Sequence, residues 1–345
     1  MRIGWLLSCY GPLGGVRSVI ETGNSLVRKG HDFTVIGNVA GSSSFCEDII
    51  KNKIYAPTNI DIGSKYRLEK CKEFDLLFNQ DPATMHYNEY IKRKHLSIHY
   101  CCGDGECYKQ FEELDGIRTS CSNFLFQVSK DQDTENKHSH YYIGQGINFN
   151  EFKPINMEDS YFYAIRDNSK INIMCCGPRG GLRKSNKGTY DIIEASLLLD
   201  KDKYNFIYFD LTKQDFPDNF KLIETMNFQN NRKTLRDVYS ICDIFIAPDY
   251  VSAWNCCAAE AMACNKPVIC SYKGTDDFGK DEINCIKYHE NKDSSPSELA
   301  QKIEMLANDK EKINFISNNG YNDIKEFTWD KVADRIINIG KELNL

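Results

Sequence analysis

Glu260 is the only charged residue in Cys256-Cys-Ala-Ala-Glu260-Ala-Met-Ala-Cys264, a run otherwise small or apolar throughout. A helix that is apolar all round is buried on all sides, and a carboxylate inside it needs a cation, several donors or a ligand. Two readings follow, a structural partner such as a buried Arg or a bound ligand. Asn255 favours the ligand, because Asn caps helix N-termini well and the amides of Cys256 and Cys257 would then open the helix, a place that attracts phosphate. Glu260 lies about one turn further in. A diphosphate at the helix mouth with a sugar diol on Glu260 would satisfy both ends, which describes a nucleotide site.

A second set of residues suits the same anion. Gly177-Pro-Arg179-Gly-Gly-Leu-Arg183-Lys184-Ser-Asn-Lys187-Gly188 combines glycines with cations after an apolar run. Backbone freedom and guanidinium or ammonium groups together make an anion cradle, the alternative being a solvated charged loop. Nearer the start, Gly11-Pro-Leu-Gly14-Gly15 lets the backbone approach a bound group, or is simply a tight turn. His99 closes an apolar run just before Cys101-Cys-Gly-Asp104, where it would face a crevice or serve only in packing. His138-Ser-His140 lacks a third ligand, and no pair of Cys-x-x-Cys motifs occurs, so no metal site is expected.

These groups need strands and helices to hold them. Arg2 to Cys9 reads as a strand, and Val16, Val19, Ile20, Gly23, Leu26 and Val27 recur at helical spacing up to Gly30. His31 to Ile36 resumes as a strand, giving a strand–helix–strand unit with its glycine turn where open α/β sheets bind ligands. Further strands are expected near 74–78, 95–100 and 118–122, with 131–140 a polar loop. The second half repeats the pattern: strands near 171–176, 204–210, 222–227, 243–247 and 267–271. A short helix near 234–241 and three closing helices, 297–307, 311–327 and 329–343, complete it. A polar linker near 159–170 sets the domains at 1–160 and 161–328, with 329–345 as a final helix. Gly-x-Gly-x-x-Gly is absent and no acidic residue ends the second strand, which disfavours a nicotinamide-dependent oxidoreductase.

Strand, Pro248, turn, Glu260-Ala-Met-Ala, then Pro267-Val-Ile resembles the donor-site signature of the retaining glycosyltransferases of family four (glycosyl transferases group 1), which have the GT-B fold. That signature places two glutamates with seven residues between them, the spacing that separates Ser252 from Glu260. Gly14-Gly15, Gly144-Gln-Gly-Ile-Asn148 with Phe152-Lys-Pro154, and Phe327-Thr-Trp-Asp are similar to other segments of the family. The resemblance covers most of the chain and is weakest between Gly41 and Lys72. It implies an α/β protein of two Rossmann-like domains facing across a cleft, the last helix crossing back to the first domain. It also implies transfer of a hexose or related sugar from a nucleotide-diphosphate sugar to a hydroxyl acceptor, a glycan, lipid-linked or small molecule, with no obligatory metal and no other cofactor. Residue by residue, Glu260 would hold the ribose and Arg179 and Lys187 the diphosphate, with Arg183 a competing choice for the arginine. Gly14 and Gly15 would face the cleft and His99 the reacting carbon. Ser252 stands where the family has its first glutamate, with Trp254 in the aromatic place and Asn255 in that of the second glycine. The lost carboxylate leaves a second reading open, a degenerate member that binds nucleotide or glycan without turnover.

Composition narrows the classes further. At 345 residues the chain has room for two cores. A net charge of −6 argues against a nucleic-acid binder, and 41% hydrophobic residues fit an ordered globular protein. No apolar run approaches the ~20 residues that cross a bilayer. The opening Met1 to Cys9 is too short in its apolar part to read as a signal peptide. Lys92-Arg-Lys94 reads as a solvated cluster that could touch an anionic membrane weakly. The 15 cysteines, several adjacent in apolar segments, suit small buried hydrophobes rather than disulfides, hence a reducing, cytoplasmic compartment.

Overall fold

The structure is a computed structural model that describes residues 1–7, 14–38, 53–56, 71–80, 96–101, 114–178, 187–211, 213–225, 234–289 and 295–345. The chain divides into two compact units, Met1–Gly146 with Phe327–Leu345, and Ile147–Glu326.

The first unit is a parallel sheet of β1 (Arg2–Leu6), β2 (Asp32–Asn38), β3 (Lys53–Ala56), β4 (Leu76–Asn79), β5 (Leu96–Tyr100), β6 (Ile117–Ser120) and β7 (His140–Tyr142), ordered β3-β2-β1-β4-β5-β6-β7. The order reverses between β1 and β4, the switch point of a Rossmann-like sheet. Helix α1 (Gly14–Arg28) lays Val16, Val19, Ile20 and Leu26 on the sheet residues Ile3, Trp5, Phe33, Val35 and Phe78. Gly23 is required there, since a Cβ would stand 2.2 Å from the Phe33 ring. Helix α2 (Asn123–Gln132), capped by Ser122, and strand β7 were not anticipated from sequence. They frame Asp133, whose carboxylate accepts from the amides of Lys137 and His138 and meets His140 Nε2 at 2.9 Å. His138 and His140 are thus occupied by Arg118 and Asp133 respectively, in the stretch read as a loop.

The second unit has six parallel strands, β8 (Ile171–Cys176), β9 (Tyr204–Asp210), β10 (Phe220–Glu224), β11 (Ile244–Ala247), β12 (Val268–Ser271) and β13 (Ile286–Tyr288), in the order β10-β9-β8-β11-β12-β13. Its switch point lies between β8 and β11. Helices α3 (Thr189–Leu198), α4 (Leu235–Ser240), α5 (Cys256–Ala263), α6 (Ser295–Ala307) and α7 (Lys310–Ile324) complete it. Ile192 and Ala195 of α3 and Leu299 and Ile303 of α6 bury against Ile173, Phe206, Ile244 and Ile269. β13 was not anticipated either, being only three residues long.

The division at 146/147 falls earlier than the boundary near 160 expected from sequence. The physical cause is that the supposed linker is packed. Phe152, 1% exposed, meets Tyr239 edge-on at 6.1 Å. Ser160 Oγ donates to Asp237 O at 2.7 Å, and Arg166 donates to Ile241 O and pairs with Asp243. Polarity alone misread this segment, because its polar groups bond to α4 and to the start of β11 rather than to water.

Helix α8 (Trp329–Glu342) is part of the first unit, with Trp329, Val332, Ala333, Ile336 and Ile339 in the same core as α1. Arg28 and Lys29 pair with Asp330 and Asp334, and Arg335 reaches Ile143 O at 3.0 Å. Among the described residues no helix is long and apolar enough to cross a membrane.

Burial outweighs charge in holding α8. Truncating a fully buried Ile costs about 2–5 kcal/mol, whereas exposed ion pairs are worth about 0–1 kcal/mol. Ile336→Ala should therefore lower the urea unfolding free energy by about 2–5 kcal/mol, and Arg28→Ala by less than about 1 kcal/mol. Equal losses for both would show that the helix is held by its charges instead.

Candidate functional site

In the second unit the chemistry gathers at the carboxyl ends of β8 and β11. β11 is apolar on both faces and ends at Pro248, and the chain then turns through Asp249 to Asn255 into α5. Asn255 is the N-cap, its Oδ1 accepting from Ala258 N at 3.1 Å, and its own N–H donates to Gly274 O at 2.7 Å. The amides of Cys256 and Cys257 therefore open the helix, at its positive end.

Glu260 is 7% exposed, and Tyr239 donates its hydroxyl to Glu260 Oε2 at 2.8 Å. The structural partner suggested from sequence was a residue such as a buried Arg, and one partner is this tyrosine, itself fully buried on α4. Burial, then the neighbouring Cys257 and Glu260, push the Tyr239 phenol well up, so it stays protonated and remains a donor. Cys257 meets Cys176, the last residue of β8, and that contact together with burial raises its thiol. The Cys257 thiol therefore stays protonated, and both cysteines at the helix start are half-buried.

Lys187 is the last cation of the basic run. Burial is the largest single influence and opposes its charge, but the Asp249 carboxylate, with smaller contributions from Cys257 and Cys176, holds the ammonium well above the ordinary lysine range. Lys187 Nζ lies 2.5 Å from Asp249 Oδ1, and Asn255 Nδ2 donates to Asp249 Oδ2 at 2.7 Å. Gly188 follows with φ +60°, and a Cβ there would stand 1.6 Å from Pro248 O, so only glycine lets these two segments touch. Arg179 and Arg183 lie outside the described residues, as do Lys184 and the run Lys92-Arg-Lys94.

Ser252 is half-buried against Gly274, whose φ is +71° and whose missing Cβ would come within 2.6 Å of Ser252 Oγ. Trp254, 5% exposed, packs on Phe278 with centroids 5.0 Å apart, so it braces the turn from within. Asp249 and Tyr239 were missed from sequence. Asp249 could have been found by the argument applied to Glu260, as a carboxylate ending a wholly apolar strand. Tyr239 gave no signal, because nothing in its spacing tells that its hydroxyl reaches a residue on another helix.

In the first unit, Gly14 and Gly15 begin α1. Ser18 Oγ donates to Gly14 O at 2.9 Å, Gln145 Nε2 donates to Ser18 Oγ at 2.6 Å, and Trp5 Nε1 donates to Gln80 Oε1 at 3.1 Å. His99 on β5 is 4% exposed, with Trp5 edge-on at 5.1 Å and its Nδ1 at 3.0 Å from Thr119 Oγ1. Burial lowers its pKa to about 3, against a weaker opposing hydrogen bond at Thr119, so the imidazole is neutral at physiological pH.

Residues 212–323, all of them within the second unit, match the family Glycosyl transferases group 1. The chain is 28% identical over 137 residues to an uncharacterized glycosyltransferase of Methanocaldococcus jannaschii, covering 36% of this chain and 38% of that protein. A second uncharacterized glycosyltransferase of the same organism is 31% identical over 113 residues, 32% of this chain and 28% of its own length. The matches thus span little more than a third of these relatives at most. Among solved structures, Anabaena HepE in complex with UDP-glucose superposes with a TM-score of 0.80 at 14% identity, covering 99% of this chain and 100% of that one. Sucrose-phosphate synthase from Thermosynechococcus elongatus gives 0.77 at 15% identity, covering 99% of both. The protein has the α/β fold of GT-B glycosyltransferases, and the segment that matches the glycosyl transferases group 1 family lies in its second unit.

Two outcomes test the geometry. Tyr239→Phe should cost about 1–3 kcal/mol of stability, the usual loss when a buried charged acceptor gives up a donor. In a Glu260→Ala background the same change should cost less than half as much, read from urea unfolding of the four proteins. Equal costs in both backgrounds would deny the contact. For His99, the unfolded chain takes up a proton near pH 6.5 that the folded chain refuses until about 3. Stability is complete above 6.5 and falls on acidification, by about 3 kcal/mol over two pH units. His99→Gln should remove roughly one proton from the slope of unfolding free energy between pH 6 and 4.5, and an unchanged slope would place the imidazole in water.

Proposed function

We propose that this protein is a glycosyltransferase that moves a hexose or related sugar from a nucleotide-diphosphate sugar to a hydroxyl acceptor, with retention of configuration. The observation that carries the reading is a single short helix, α5, with a capped and cation-flanked mouth and a buried carboxylate one turn inside. A nucleoside diphosphate has the matching parts, an anionic end for the amides and Lys187 and a ribose diol for Glu260. The relatives point the same way, since HepE has been solved with UDP-glucose, with UDP, and with UDP and glucose.

In this reading the bond between the sugar's reacting carbon and the diphosphate oxygen breaks, and the electron pair leaves with the diphosphate. The acceptor oxygen bonds to that carbon and releases its proton. Arg179 and Lys187, with Arg183 as the competing arginine, would stabilise charge on the departing diphosphate, the part a metal ion takes elsewhere. Gly14 and Gly15 would approach the donor phosphates and the acceptor from the first unit. His99 would act as a neutral group, through shape and packing beneath the sugar rather than as a cation. We place the protein in the cytoplasm, where nucleotide sugars would supply it, with any membrane contact weak and peripheral.

Ser252 favours a second reading, a protein that binds nucleotide or glycan without turnover. A hydroxyl packed on Gly274 hydrogen-bonds but supplies no carboxylate charge where the related motif has a glutamate.

A thermal-shift panel of UDP, GDP, dTDP, ADP and NADH on wild type and Glu260→Ala tests the site. A ligand at ~100-fold its dissociation constant stabilises by about 2.7 kcal/mol. One diphosphate should shift the wild type and fail to shift the variant. If none shifts the wild type, Glu260 is structural and the proposal fails. Release of nucleoside diphosphate from the matching nucleotide sugar, with acceptor present, then separates the transferase from the silent binder.

A further inference from the structure

Asp249 is 3% exposed, a carboxylate at the end of a strand with no charged residue. A charge so placed has to be answered by donors, and both of its oxygens are. Oδ1 takes the Lys187 ammonium at 2.5 Å, and Oδ2 takes the Asn255 amide at 2.7 Å. The second bond has a consequence for the helix. A carboxylate accepts only, so it can meet only the NH2 end of Asn255, which leaves the amide oxygen to cap Ala258 N. One carboxylate therefore fixes both the cation beside the helix mouth and the orientation of the group that caps the helix.

Asp249 is itself held from several sides. Ser271 Oγ donates to Asp249 O at 2.6 Å from the end of β12. The preceding Pro248 carbonyl rests on Gly188, and the following Tyr250 donates its hydroxyl to Asp191 of α3 at 2.5 Å. Tyr288 of β13 reaches the other oxygen of Asp191 at 3.3 Å. The Lys187 side chain keeps 34% of its surface exposed and that of Asp249 only 4%. An arriving anion meets the cation, with the carboxylate behind it.

We propose that Asp249 is a positioning residue for the diphosphate, holding the Lys187 cation and the Asn255-capped amides of α5 on one anion. This rests on the donor-site reading above and adds to it a residue that touches no substrate. Two effects of the carboxylate oppose each other. As a negative charge it repels the diphosphate, so its removal should tighten binding. As an anchor it orders two of the groups that bind, so its removal should loosen binding. The arrangement favours the anchor, because the charge is already neutralised by Lys187 at hydrogen-bonding distance.

The sign of the effect is the test. Affinities for the diphosphate found in the thermal-shift panel, and for inorganic pyrophosphate, are measured by calorimetry. The proteins are wild type, Asp249→Asn, Lys187→Ala and the double variant. Asp249→Asn should weaken binding by about tenfold in the wild type and by clearly less in the Lys187→Ala background, where only the share carried through Asn255 is left to lose. Asp249→Ser is carried in parallel, so that the cycle closes if the Asn variant does not melt cooperatively. Equal or tighter binding by the Asp249 variants, or losses that simply add, overturns the proposal and leaves the donor site standing. If the wild type binds neither the diphosphates nor pyrophosphate, the donor-site reading falls and this inference with it.

Discussion

A carboxylate removed from water has to be met by named partners, and two such carboxylates organise the second unit. Glu260 and Asp249 are both more than nine-tenths buried, on either side of the turn that joins β11 to α5. Tyr239 answers the first, and Lys187 with Asn255 answers the second. Those partners come from α4, from the start of α3 and from the cap of α5. Satisfying the two charges therefore sets the relative placement of these elements around the switch point. Apolar packing supplies the cohesion of this unit, but it is non-directional. The directional bonds decide which groups face the helix mouth.

The same logic separates the two halves of the motif. The Glu260 end keeps a carboxylate, with a tyrosine that steadies it. The other end has Ser252 against a left-handed Gly274, a small hydroxyl in a tight contact. Electrostatic stabilisation is strongest when donors and charges are fixed before the reaction begins. Here that fixing is most complete around Asp249, Lys187 and Asn255. Any catalytic strength of the site would accordingly reside in the leaving group's surroundings.

The first unit contributes a different kind of order. Its sheet is covered by α1 and by α8 from the far end of the chain, so the N-terminal core is closed by the last helix. His99, placed at a strand's carboxyl end, proves to be a neutral imidazole between Trp5 and Thr119. Its position at the strand end agreed with a place facing a crevice, and its burial decides against a charged imidazole there. Periodicity can locate a residue at a strand end, while the protonation state depends on neighbours brought by other strands.

Much of the architecture was legible in the residues. Apolar runs and glycine stops identified the strands β8, β9 and β11 and the helices α1, α5 and α8, because these carry long or complete hydrophobic patterns. Strands β7 and β13 were not seen, since three residues give little periodicity, and α2 was not seen because its buried face is mostly polar, Leu125 with Ser129 and Gln132. Asn255 as a cap and Glu260 as a buried carboxylate were set by local sequence, for capping and the cost of buried charge act over a single helix turn. Tertiary structure alone decided that Tyr239 holds Glu260, that Asp249 joins Lys187 to Asn255, and that the stretch near 159–170 packs on α4. Each of these unites residues tens of positions apart. Their meeting depends on how parallel strands are ordered, which no local pattern in the chain encodes.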